Sequence, residues 1–279
     1  MFFSYNFLIS VNNISGGQMK KILFTGARSG IAHATIKRLL NKKYIIYLTV
    51  HTDKQLEMAQ KTYKNYENVI CLKIDITNKN DLMKIEGLDI DILVCNAATG
   101  EGGSIVEIPM SLVRHNFEVN VFSNFELIQK VFKQMIKKNK GRIIVMSSLI
   151  RLTPINFLGV YGATKSAISN LMFTLNNELK LLDTDVKVIL VEPGAYYTGS
   201  NQVMLDNKYV WMNKDSYFSN CIEEIRKTEN RLFNLVERNS LTSVVRTMER
   251  AIESTCPKFL YQVPLSQAIV AKLFNFIFF

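Results

Sequence analysis

A short β-rich run, Lys21 to Thr25, ends directly on Gly26-Ala27-Arg28-Ser29-Gly30-Ile31-Ala32, and a helical apolar pattern follows through Leu39-Leu40. Strand, glycine turn and helix in that order form a phosphate-binding layout, because the unpaired N–H groups and positive end of the helix face whatever lies above the turn. Gly26 permits the tight turn, Gly30 lets backbone approach a pyrophosphate, and Ala32 is small enough for close helix packing. Two glycines after a strand are weak evidence alone, and the rest of the chain has to extend the pattern.

It does so by alternation. Tyr44 to Val50 reads as a strand, Lys54 to Tyr63 as a helix, Val69 to Ile74 as a strand ending at Asp75, and Asp91 to Cys95 as a strand closing on Asn96-Ala97-Ala98. Further strands are expected over 142–146 and 185–191, and a last one over Pro257 to Tyr261. Strands separated by helices require crossover connections, which predicts an α/β domain with a parallel sheet covered on both faces. Sheets of this kind bind ligands at the carboxyl ends of their strands. Gly26, Asp75, Asn96 and Ser148 all fall at such ends and are expected to share one edge.

The chain has 279 residues, 48% hydrophobic and 21% charged, which suits one large domain. Residues 19–279 are expected to form it; residues 1–18 are read as a dispensable or mis-called extension, since Met19-Lys20-Lys21 is the more natural start. The net charge of +10 would suit anionic ligands, but the basic residues are scattered apart from Lys137, Lys138 and Lys140, so nucleic-acid binding is not expected. The four cysteines lack a C-x-x-C pair and the three histidines lack zinc-ligand spacing. A reduced, cytoplasmic protein without a metal site is expected. The stretch from Ala268 to Phe279 is too short to span a bilayer and carries Lys272, which leaves packing on the core, on a second subunit or on a lipid surface as peripheral membrane contact.

The chemistry concentrates in Tyr161-Gly162-Ala163-Thr164-Lys165. Apolar residues at Ile168, Leu171, Leu175 and Leu179 predict a helix over 160–182, which places Tyr161 and Lys165 on one face. A cation beside a phenol favours the phenolate and is expected to lower the Tyr161 pKa. The bland alternative is an amphipathic helix with a solvated lysine. Pro109 to Lys138 reads as one long helix whose Asn116 and Asn124 are expected at the surface, with Asn120 facing the cleft. Glu192-Pro193-Gly194, followed by Thr198, marks a turn with backbone available to a ligand.

In this order, from about Lys20 to Thr198, the motifs resemble the short-chain dehydrogenase/reductase family. The segment Thr25 to Ala32 is similar to its glycine-rich cofactor turn, with contacts expected from Gly26, Arg28, Ser29, Gly30 and Ile31; Asp75-Ile76 is similar to its adenine contact, and Asn96-Ala97-Ala98 to its fourth-strand motif. Asn120, Ser148, Tyr161 and Lys165 match its catalytic four, with an interval of thirteen between serine and tyrosine. Pro193, Gly194 and Thr198 resemble the segment that embraces the nicotinamide.

The resemblance implies a single-domain Rossmann-type doubly wound sheet of about seven strands and a homodimer or homotetramer. It implies hydride transfer between a nicotinamide cofactor and a carbonyl or alcohol. Tyr161 would be the general acid and base, Lys165 would lower its pKa and bind the nicotinamide ribose, Ser148 would orient the substrate oxygen, and Asn120 would support a proton relay. Beyond Thr198 the similarity is to members acting on lipophilic substrates, such as retinol and hydroxysteroid dehydrogenases. Two positions depart from the family pattern: Ala98 stands where glycine is common, and Arg151 is expected to reshape the cleft wall.

The second strand ends in Val50-His51-Thr52 without an acid to bind a ribose hydroxyl, while Arg28, His51 and Lys54 suit a 2′-phosphate, so NADP is expected over NAD. Asp53 is the residue that would oppose this. Segment 199–230, with Tyr209, Trp211, Tyr217 and Phe218, is expected to be a lid over an apolar substrate, or to pack the domain or a subunit contact. The competing readings are a non-catalytic dinucleotide-sensing or interaction protein on the same fold and a membrane-associated structural protein.

Overall fold

A computed structural model describes residues 19–278. The expectation for residues 1–18 falls outside them. Seven parallel strands run β1 (Lys20–Phe24), β2 (Tyr44–Val50), β3 (Val69–Lys73), β4 (Ile92–Cys95), β5 (Lys140–Met146), β6 (Asp185–Pro193) and β7 (Leu260–Val263), ordered β3-β2-β1-β4-β5-β6-β7 in one sheet. The predicted last strand begins three residues later than expected and runs on to Val263.

Alternation along the strands divides the core into two layers. In β1, Ile22 and Phe24 join the layer beneath α1 (Gly30–Leu39) and α2 (Asp53–Tyr63), while Leu23 joins the opposite one. The short helix α3 (Lys79–Met83) follows β3. α4 (Met110–Phe117) packs against the later helix α6 (Gly159–Glu178), which together with α5 (Asn124–Lys137) covers the opposite layer; Leu127, Val131, Ile168 and Met172 of these two are fully buried. After β6 come α7 (Ser200–Asp215), α8 (Ile222–Val236), α9 (Thr242–Glu253) and, beyond β7, α10 (Leu265–Phe278). No helix of the described residues is long and apolar enough to cross a membrane.

The long helix expected over 109–138 is present but contains a π-helical segment, Glu118–Ser123, between α4 and α5. Asn116 and Asn124 are buried, contrary to the expectation of exposure. Each amide has backbone partners: Asn116 Nδ2 donates to Leu112 O at 2.9 Å and its Oδ1 accepts from Glu101 N, while Asn124 Nδ2 donates to Ala97 O and Val119 O. A buried asparagine is tolerated where it satisfies irregular backbone, and a π segment widens the helix at this point.

Candidate functional site

The strand order reverses between β1 and β4, and the carboxyl ends of both open into a cleft of about 1500 Å³. A crevice at this switch point is where open α/β sheets take ligands. Gly26, Arg28, Ser29, Gly30, Ile31, Asp75, Ile76, Asn96, Ala97 and Ala98 all line it, as do Ser148, Tyr161, Lys165, Pro193, Gly194 and Thr198. Of the expected catalytic residues, Asn120 does not face the cleft as expected; it is buried behind the wall, its amide held by Thr99 and Thr164.

The glycine turn is fixed by close approach. Gly26 has φ +62°, and a Cβ there would stand 2.7 Å from Ala97 Cα. Gly30 has φ +66°, with Thr198 3.4 Å from where its Cβ would be. Ser29 occupies the N-cap of α1 without a side-chain capping bond, so the first N–H groups of the helix face the cleft. Thr25, buried at the end of β1, accepts from both Asn96 N and Ala97 N at 3.0 Å, and Asn96 Nδ2 donates to Thr25 O and Gly26 O. Asn96 thereby ties β4 to the turn. Ala98 is not among the described residues with positive φ, so its methyl is accommodated.

At the other end, β5 delivers Ser147 and Ser148 in opposite directions. Ser147 Oγ donates to Lys165 O at 3.1 Å and bonds Ser169 Oγ at 2.6 Å within the core. Ser148 lines the cleft, accepts from Ile150 N at 3.2 Å and donates to Pro193 O at 3.4 Å. Tyr161 and Lys165 share a face of α6 as expected, with Lys165 Nζ 5.6 Å from the Tyr161 ring centroid. Lys165 is buried and donates to Met146 O at 3.0 Å.

Burial pulls the Lys165 pKa down to about 8 and pushes the Tyr161 phenol up to about 12. The phenol shift is opposite to the lowering expected from the sequence. Desolvation of the charged form outweighs attraction here, because the ammonium lies over the ring and is turned to the Met146 carbonyl.

Arg151 does not shape the cleft wall. Its Nε bonds Glu192 Oε1, Glu192 is fully buried, and Gln262 Nε2 donates to Glu192 Oε2 at 2.8 Å. The guanidinium also stands 5.4 Å from the Phe173 ring centroid. The side chain therefore locks β6 to β7 and α6 beneath the cleft.

Segment 199–230 forms α7 and the first part of α8. Its aromatics pack the domain: Tyr209 joins Met212 and Ile222, with Trp211, Phe218 and Phe157 against them, and Tyr217 is exposed. None of the four lines the cleft; Met204 and Glu229 do. Glu229 is held by Lys208 Nζ at 2.5 Å and the Tyr209 hydroxyl at 2.6 Å, a buried ion pair that pins α7 to α8.

Thr25, Thr164 and Gln267 are site residues that the sequence did not single out. Thr25 and Thr164 sit inside motifs already singled out, so their position was a usable signal. Gln267, whose Oε1 accepts from Ala195 N at 2.9 Å and whose Nε2 donates to Val236 O at 2.7 Å, had none. Near the other end of the cleft, Arg28 and His51 line it, Lys54 does not, and Asp53 is paired with Lys73 at 2.6 Å.

A glycine turn opening onto a helix N-terminus at the switch point, with a phenol and an ammonium four residues apart across the same cleft, defines a dinucleotide-binding oxidoreductase of the α/β class. The family model described as short chain dehydrogenase matches residues 20–208. Rat estradiol 17-beta-dehydrogenase 2 is 29% identical over 264 residues, covering 87% of this chain and 67% of the rat protein. The 3-ketodihydrosphingosine reductase of Bacteroides thetaiotaomicron is 26% identical over 262 residues, covering 91% and 92%. A Burkholderia phymatum short chain dehydrogenase/reductase, solved in complex with NAD, superposes with a TM-score of 0.77 at 20% identity, covering 92% of each chain. The chain belongs to the short-chain dehydrogenase family, and with that membership it is an NAD(P)-dependent oxidoreductase.

Proposed function

We propose that the protein reduces the carbonyl group of a lipophilic substrate with NADPH, Tyr161 acting as general acid, Lys165 as its cationic partner and Ser148 as the hydroxyl that orients the substrate oxygen. The observation that carries this reading is the state of Tyr161. Its hydroxyl lines the cleft, has no hydrogen-bond partner among the described residues, and keeps its proton through neutral pH. A phenol in that state donates to a carbonyl oxygen, which favours the reductive direction.

Lys165 then stabilises the phenolate left behind. Ser148 is anchored to the Pro193 carbonyl and the Ile150 amide, which fixes its Oγ at the cleft wall. Asn120 would support proton transfer by position: its Nδ2 donates to Thr164 Oγ1 at 3.0 Å, and Thr164 Oγ1 donates to the Tyr161 carbonyl at 2.8 Å, which fixes the turn of α6 that carries Tyr161.

The cradle fits a dinucleotide. Gly26 leaves no room for a side chain against Ala97, and the start of α1 offers unpaired N–H groups to a pyrophosphate. All the other expected contacts line the same cleft: Asp75 and Ile76 would meet the adenine, Asn96, Ala97 and Ala98 would border the cofactor at the end of β4, and Pro193, Gly194 and Thr198 would embrace the nicotinamide. The cofactor, when bound, supplies the hydride. Arg28 and His51 on the cleft, with Asp53 paired to Lys73, support NADP over NAD.

For the substrate, the support is the wall beyond Tyr161, which is built from Met204, Leu232, Phe233, Val270 and Phe274. Two relatives are named for a steroid and for a sphingoid ketone.

The test is NADPH oxidation by the full chain against a panel of short aldehydes, steroid ketones, retinoids and long-chain keto compounds. Turnover of the apolar members is expected, with Tyr161→Phe losing about 10²-fold or more in rate while NADPH affinity holds. An unchanged rate in that variant would remove Tyr161 from the chemistry. Tighter binding of NADH than of NADPH would overturn the cofactor preference.

A further inference from the structure

The helix α10 is amphipathic in the inverted sense. Its polar and small residues face the protein: Gln267 bonds Ala195 N and Val236 O, Asn275 Nδ2 donates to Leu152 O at 3.1 Å, and Ala268 and Ala271 are buried. Its outer face is apolar and open. Leu265 is 71% exposed, Ile269 50%, Val270 66%, Leu273 56%, Phe276 87% and Ile277 69%. A contiguous exposed face of this kind marks an interaction surface, since isolated exposed apolar residues do not line up at helical spacing.

We propose that this face of α10 docks the protein on an anionic lipid surface. Two observations select lipid over a protein partner. The face adjoins the cleft: Val270 and Phe274, on the same helix, line the cleft, as does Leu235 at the end of α8, itself 84% exposed. A rigid partner seated across α10 and Leu235 would close the opening, whereas a fluid layer covers the same apolar groups and leaves the passage open.

The charge also matches. The helix contains no acidic residue, exposed Lys272 flanks the apolar face, and exposed Arg238 adjoins its first turn through a 3.0 Å bond to Ser266 Oγ. On a chain of net charge +10, those cations favour anionic headgroups. This docking deepens the lipophilic-substrate reading, because the opening would face the phase in which such a substrate is dissolved.

The test is co-sedimentation of the full chain with vesicles of equimolar phosphatidylcholine and phosphatidylglycerol, beside vesicles of phosphatidylcholine alone. The comparison is the wild type with Leu273→Glu/Phe276→Glu, two positions on the outer face and away from the cleft. Wild-type protein is expected to pellet with the anionic vesicles and less with the neutral ones. The double variant is expected to partition roughly tenfold or more weakly while keeping its unfolding midpoint and NADPH affinity.

Wild-type protein that stays in the supernatant, or a double variant that pellets equally, overturns the proposal. So does a wild-type dimer, measured by sedimentation, that the substitutions convert to monomer, since the face would then be a contact between copies. The vesicle readout needs no turnover, so failure of the substrate reading and failure of the docking are distinguishable.

Discussion

The side-chain amide of Asn120 is bonded at both ends to the backbone of Thr99. Its Oδ1 accepts from Thr99 N at 2.8 Å and its Nδ2 donates to Thr99 O at 2.8 Å. The second Nδ2 hydrogen goes to Thr164 Oγ1 at 3.0 Å, and Asn120 is buried. Both donors are thus committed to protein groups, and the side chain braces the loop after β4 against the second turn of α6. Asn120→Ala is expected to lower stability by about 1–3 kcal/mol, because the Thr99 N–H and carbonyl lose their partners. Urea unfolding of the two proteins measures it, and a difference near zero would show that Thr99 is satisfied without the brace.

Burial of Lys165 has a sign that pH can read. Its folded-state pKa of about 8 lies below the ordinary value of 10.5, so the folded protein releases this proton before the unfolded chain does. The cost of the buried charge is fully present below pH 8 and is relieved as pH rises to 10.5. Wild-type protein should therefore gain stability over that window relative to Lys165→Met, by up to about 3 kcal/mol. Equal pH slopes for both proteins would contradict it. In the same window kcat/KM for reduction is expected to fall, because a neutral Lys165 no longer stabilises the phenolate.

Gly26→Ala places a methyl 2.7 Å from Ala97 Cα on a residue at φ +62°. The left-handed conformation alone costs about 1–2 kcal/mol for a residue with a Cβ, and the obstructing atom is backbone. The expected outcome is a lower unfolding midpoint together with a loss of dinucleotide affinity of about tenfold or more, followed by nucleotide fluorescence. Retained affinity would show that the turn does not carry the cofactor.

Glu192 is fully buried between Arg151 and Gln262. Glu192→Ala strands the Arg151 guanidinium, whose side chain is 18% exposed, and is expected to cost about 3–5 kcal/mol. Arg151→Ala should cost a similar amount, and the double substitution much less than the sum. Additive losses in a double-mutant cycle would mean that the two side chains act independently.

The order of strands and helices was legible because it rests on local pattern: the short continuous apolar runs of β1 and β2, and helical spacing across 160–182, are properties of neighbouring residues. The cofactor turn and the Tyr161–Lys165 pair were legible for the same reason, since a glycine beside a strand and an interval of four on a helix need no knowledge of distant chain. What the sequence could not decide was direction. Arg151 turns to the interior because Glu192, 41 residues away, binds it there, and no local pattern announces that partner. Asn116 and Asn124 were expected at the surface because their backbone partners lie in a π-widened helix and in the loop after β4, features without a local signature.

By itself, then, the sequence determined the alternating α/β plan, the edge of the sheet that carries the ligand, and the residue types that meet there. Tertiary structure alone decided which of those residues are desolvated, and so the protonation state of Tyr161 and Lys165. It also decided that Tyr209, Trp211 and Phe218 pack the domain while, among the described residues, the outer face of α10 is left exposed. The physical reason is that secondary structure follows from short-range geometry, whereas burial and pKa depend on what distant segments bring against a side chain.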